Sequence, residues 1–145
     1  MRNLKIETKI NKPIDFVWSV LADVENYPKY VKHIYRAKAH GPLVEGSTWS
    51  DWTTILFLPL KITHTTSELV EPRRLHFTFP TPFEGQVNQL FTLRQEGRAT
   101  NVRFEISIDL GNKLVDFLLG SILEQRWRSM ISAAVANLGK EFNGS

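Results

Sequence analysis

Four histidines, His33, His40, His64 and His76, are the side chains of this sequence best suited to moving protons near neutral pH. None forms an H-x-x-x-H pair or stands beside a carboxylate at ligand spacing, so no metal site is expected. There is no cysteine, which removes thiolate nucleophiles, thiolate metal ligands and disulfides together. No G-x-S-x-G turn presents a serine nucleophile, and no glycine-rich loop cradles phosphate. What remains is polar side chains on strands whose alternation turns them inward. If Ile62 faces the interior, so does His64; Asp51 shares a face with Trp49, Thr53 and Ile55, and Gln89 with Phe91 and Leu93. His64 with Asp51 is then the candidate pair for acid–base catalysis. The competing reading is that each ends a strand and reaches solvent. His76 alternates with Leu75 and Phe77 and belongs outside.

Arg126 is the other chemically pointed residue, because it interrupts an apolar ladder. Residues 112–142 contain no proline, Asn112 suits an N-cap, and Asp116 lies where the helix dipole favours a negative charge. Two ladders of spacing four run through this stretch. One is Leu114, Leu118, Ile122, Arg126, Met130, Ala134 and Leu138; the other is Val115, Leu119, Leu123, Trp127, Ile131 and Val135. Together they predict one helix of roughly 45 Å with a broad apolar face. Arg126 either lays its stem on the rim with its guanidinium in water, or enters the interior to meet Asp51, another carboxylate or an acidic ligand.

The rest of the chain must supply the surface on which that helix lies. Leu4, Ile6, Thr8 and Ile10 alternate with charged residues as a half-buried strand. Asn11-Lys12-Pro13 opens a short helix, with Asn11 as the cap, and residues 23–32 form a second helix or turn broken at Tyr27-Pro28. Strands follow over 34–39, 47–58, 61–70, 75–79, 87–93 and 102–108, separated by Gly41-Pro42, Pro59, Glu71-Pro72, Pro80-Thr81-Pro82 and Glu96-Gly97. Consecutive strands joined by short turns make an antiparallel sheet. Only the long helix is large enough to cover its apolar face, and a twisted sheet wrapped around one helix leaves a space between them.

This order resembles the START-like (SRPBCC) superfamily, the helix-grip fold of pollen allergens and polyketide cyclases. The resemblance rests on Ile10-Asn11-Lys12-Pro13-Ile14-Asp15-Phe16-Val17-Trp18, on Asp23-Val24-Glu25-Asn26-Tyr27-Pro28, on Gly46-Ser47-Thr48-Trp49, on Glu71-Pro72-Arg73-Arg74-Leu75 and on the apolar C-terminal helix. It implies an α+β fold, a curved antiparallel sheet of about seven strands around a long C-terminal helix, with two short helices after the first strand. Its members include lipid and hormone carriers, cyclases and aromatases, coenzyme Q-binding proteins, ribosome-associated toxins and chaperone activators.

With 145 residues, the chain is expected to form one domain, 1–145. Its net charge of +3 is spread without a basic tract, so no nucleic-acid partner is expected. No apolar run is long enough to span a membrane, transient contact with one is left open, and a cytoplasmic location is the default. The expected function is binding or transport of a lipid, quinone or polyketide-like molecule, with no cofactor. A cyclase or dehydratase, or a ribosome- or chaperone-interacting protein with a collapsed cavity, is the alternative. The expected pocket lining is Trp49, Ile55, Phe57, His64, Phe79, Phe83, Gln89, Phe91, Phe104, Phe117, Leu118, Ile122, Arg126 and Met130. The apolar turn Phe57-Leu58-Pro59-Leu60, the 80–83 loop and Phe117 are read as the rim of its mouth.

Overall fold

The computed structural model describes residues 2–55 and 57–143. Seven strands form one antiparallel sheet: β1 (Arg2–Ile10), β2 (Ile34–Ala39), β3 (Thr48–Ile55), β4 (Leu58–Val70), β5 (Arg74–Pro80), β6 (Gln86–Glu96) and β7 (Ala99–Asp109). Their order is β1-β7-β6-β5-β4-β3-β2, so β2 to β7 are a run of hairpins and β1 returns to pair with β7. The fold is the helix-grip fold expected from the resemblance.

Three details depart from the sequence reading. The β3–β4 turn comes earlier than Pro59, which sits inside β4 opposite Thr54 near the strand end, where proline is tolerated. The first helix, α1 (Ile14–Ala22), has Pro13 rather than Asn11 as its N-cap, and its first N–H is taken by the side chain of Gln95 at 2.7 Å. The C-terminal helix is not one regular rod. Asn112 caps it as expected, its Oδ1 accepting from the N–H groups of Leu114 and Val115. A turn of α2 (Lys113–Val115) then passes into a π-helical segment, Asp116–Gly120, before α3 (Ser121–Asn143).

The long helix also does not cover the sheet alone. One half of the inner face packs under α1, where Val17, Trp18 and Leu21 meet Trp49, Leu75, Phe77 and Leu93. The other half packs under the C-terminal helix, where Val115, Leu123, Trp127 and Ile131 meet Leu4, Phe79, Val87 and Phe104. A 3-10 helix, Val24–Lys29, follows α1 and leads toward β2. The amide of Asn137 donates to the carbonyl of Tyr30 and ties it to α3.

Of the two ladders, the one through Leu123, Trp127 and Ile131 is the buried one. Leu114, Leu118 and Ile122 face solvent instead. Four residues turn an α-helix by about 400°, so a spacing-four ladder drifts about 40° per step. A line that faces inward at Met130 and Ala134 has rotated outward by Arg126 and Ile122. The π turn then adds a residue, so the inward line runs from Val115 to the buried Gly120, not to Leu119.

Candidate functional site

Between the two packed halves lies a cavity of about 160 Å³, partly open to solvent. The sheet supplies its floor through alternate residues of β1 and β3 to β7. Its roof is Trp127, Met130, Ile131, Ala134 and Val135 of α3, and one wall is Tyr27, Tyr30 and Val31. Apolar and aromatic groups dominate the lining.

The polar exceptions are concentrated on β3 and β4. His64 and Asp51 are 2% and 4% exposed, and His64 Nε2 lies 2.7 Å from Asp51 Oδ2. Register explains the meeting: Trp49 is directly opposite His64 and Asp51 opposite Ile62, so Asp51 reaches His64 diagonally. The bulge in β4 falls between Thr66 and Glu68, beyond His64, so the alternation that turns His64 inward is intact. Trp49 stacks on the imidazole at 4.1 Å and 9°, and Phe79 meets it edge-on at 5.0 Å. In the tautomer whose Nε2–H donates to Asp51 Oδ2, Nδ1 is the ring nitrogen with the free lone pair. His64 Nδ1, Asp51 Oδ1 and Trp49 Nε1 have no hydrogen-bond partner among the described residues. Each such buried orphan costs about 1–3 kcal/mol.

Tyr27 stands beside this pair. The residue is half-buried, but its hydroxyl is enclosed and donates to the Leu21 carbonyl. Burial, with the nearby charges of Asp23 and Asp51, pushes its ionisation far above the ordinary range of a phenol.

Of the pocket residues expected from the sequence, Trp49, His64, Phe79, Gln89, Phe91, Phe104 and Met130 line this cavity, and so does Asp51. The side chain of Ile55 lies outside the described part of the structure. Phe57, Phe83, Phe117, Leu118, Ile122 and Arg126 do not line it and face solvent. For the helical residues the reason is the rotation described above. Phe57 and Phe83 sit on loop tips with positive φ and are exposed. The Arg126 guanidinium lies 5.8 Å from the Phe57 ring, outside the cavity, which is the rim position and not the buried one. The sequence reading missed Tyr27, Tyr30 and Val31. Their Tyr-Pro-Lys-Tyr stretch reads as a turn, although two tyrosines in a turn are a signal that it covers something apolar.

The family model described as polyketide cyclase / dehydrase and lipid transport matches residues 10–135. No curated protein sequence matches the chain. Among solved structures, TTHA0849 from Thermus thermophilus is similar over 99% of this chain and 98% of its own, with a TM-score of 0.81 and 14% identity. The ginseng major latex-like protein 151 from Panax ginseng has a TM-score of 0.77 and 13% identity, with 97% of each chain covered. The Zhui aromatase/cyclase from Streptomyces sp. R1128 has a TM-score of 0.73 and 13% identity, covering 96% of this chain and 94% of that one. At these identities the likenesses establish the fold.

Proposed function

Because the chain belongs to the polyketide cyclase / dehydrase and lipid transport family, we propose that it binds a hydrophobic or amphipathic small molecule between the sheet and α3. The observation that carries this reading is the cavity itself, an aromatic-lined space of about 160 Å³ between the sheet and α3. An apolar cavity of ~150 Å³ holds a benzene-sized molecule. One ring can therefore be enclosed, and a longer lipid, quinone or polyketide would extend through the open side.

The test is native mass spectrometry of protein purified from cells, followed by titration with the neutral probe N-phenyl-1-naphthylamine. A retained small molecule, or saturable fluorescence that Ala134→Phe removes by filling the roof, supports binding. Protein that comes away empty and takes up no probe refutes it.

A second reading, that the same cavity is a catalytic site, is favoured by one observation. His64 is oriented by Asp51 at 2.7 Å, deep in an apolar wall. A base held by a carboxylate, away from bulk water, is suited to removing a proton next to a carbonyl or assisting loss of water. That is the chemistry of an aromatase/cyclase, as the Zhui protein is described. Assays with poly-β-keto thioester mimics would decide it. Turnover that Asp51→Asn and His64→Gln both abolish, with probe binding kept, establishes the enzyme; no turnover leaves the carrier.

A further inference from the structure

Most of the large apolar side chains that face water lie on three neighbouring segments: Phe57, Leu58 and Leu60 on the β3–β4 tip, Phe83 on the β5–β6 loop, and the stretch Leu114 to Ile122. Two contacts join these segments into one surface. Gly111 approaches the 83–85 loop so closely that a Cβ there would lie 2.1 Å from the Phe83 carbonyl oxygen. At the far end, the Arg126 guanidinium lies over the Phe57 ring at 5.8 Å. Between them, Phe117 and Leu118 project from the π-helical segment, Phe117 with 80% of its surface exposed.

The two aromatic tips sit on strained backbone. Phe57 and Phe83 have φ of 67° and 69°, a region that bulky L-residues avoid. Both are exposed, Phe57 at 88%. Strained backbone of this kind concentrates where function requires it. Here it carries two phenyl rings that stand in water, which no folding argument favours.

The charge around the patch identifies what it meets. Lys113 precedes Leu114 and Arg126 borders Phe57, and neither has a carboxylate within salt-bridge distance among the described residues; Lys61 follows the tip, with its ammonium over the Trp52 ring at 5.4 Å. The helix carboxylates, Asp116 and Glu124, are both held by Arg2, at 3.2 and 3.0 Å. Asp109 accepts the Gly111 N–H, and Glu84 is the remaining acid beside the loops. Exposed aromatic and leucine side chains fringed by cations without carboxylate partners match an anionic lipid surface, where rings insert at the headgroup boundary and cations meet phosphates. No helix among the described residues is long and apolar enough to cross a membrane, so contact would be peripheral. We propose that the surface formed by the β3–β4 tip, the Phe83 loop and residues 113–126 docks the protein reversibly on an anionic bilayer. This does not depend on what the cavity binds.

The experiment is flotation with phosphatidylcholine vesicles, with and without phosphatidylglycerol, using wild type, Phe57→Ser/Phe117→Ser and Lys61→Glu/Lys113→Glu/Arg126→Glu. Circular dichroism and light scattering check fold and mass. Wild type should float with the anionic vesicles and be released by salt, and each variant should lose about tenfold in partitioning. Wild type that stays behind, or folded variants that float equally well, overturn the proposal. So does a wild-type dimer that the apolar variant makes monomeric without any vesicle binding, which would assign the patch to a second copy of the chain.

Discussion

His64 and Asp51 meet across a diagonal of the β3–β4 ladder, Nε2 to Oδ2 at 2.7 Å, with Trp49 stacked on the imidazole at 4.1 Å. The pair is enclosed in apolar surroundings and leaves one atom of each partner without a hydrogen bond among the described residues. A buried polar pair gains little over a well-packed apolar replacement, yet removing one member strands the other. Asp51→Leu should therefore cost about 3 kcal/mol. Adding His64→Phe should recover more than half of that loss. Urea denaturation of both variants checks it, and a double variant no more stable than Asp51→Leu would show that the two are uncoupled.

The sheet and its inward pairs were legible because strand alternation has a period of two and survives twisting. Trp49, Asp51, His64, Gln89, Phe91 and Phe104 all face the side that counting assigns them. The C-terminal helix was legible as a helix, but not in its orientation. Leu118 and Ile122 belong to an apolar ladder on paper, yet small drifts per step and one π turn are enough to rotate them into water. Sequence periodicity also could not separate an inward apolar face from an outward one that serves a surface. The Tyr27–Tyr30 wall was missed for another reason: it depends on a long-range closure, with Asn137 holding the Tyr30 carbonyl.

Trp127 stands where the cavity roof joins the packed half of the core, with its ring 6.3 Å from Phe79. Truncating a large core aromatic costs about 3–5 kcal/mol. Trp127→Ala should fall near the lower end, about 3 kcal/mol, because one side of the ring already borders open space. A loss below about 1 kcal/mol in denaturant titration would mean that α3 does not rest on this residue.

Arg126 is exposed and touches Phe57 rather than the cavity. Arg126→Met should change stability by no more than about 0.5 kcal/mol. A fatty-acid probe such as cis-parinaric acid and a neutral naphthylamine should bind the variant as they bind wild type. Selective loss of the acidic probe would instead place the guanidinium in the pocket.

Tyr27 provides a pH signature of the cavity wall. A phenol ordinarily ionises near 10.0, but burial, with the charges of Asp23 and Asp51, holds Tyr27 well above that in the folded protein. Below that ordinary value both folded and unfolded chains keep the proton, and the contribution of Tyr27 is fully present. Above it the unfolded chain releases the proton while the folded chain retains it, so stability falls as pH rises, by up to about 1.4 kcal/mol per pH unit for one group. Tyr27→Phe removes this proton and the hydrogen bond to Leu21 together. The variant should be less stable near neutral pH by about 1 kcal/mol, yet lose stability more slowly than wild type between about pH 9 and about pH 11. Urea midpoints for both proteins across that range provide the comparison. Parallel curves would mean that Tyr27 ionises in the folded state as readily as in the unfolded one, and that its hydroxyl is open to water.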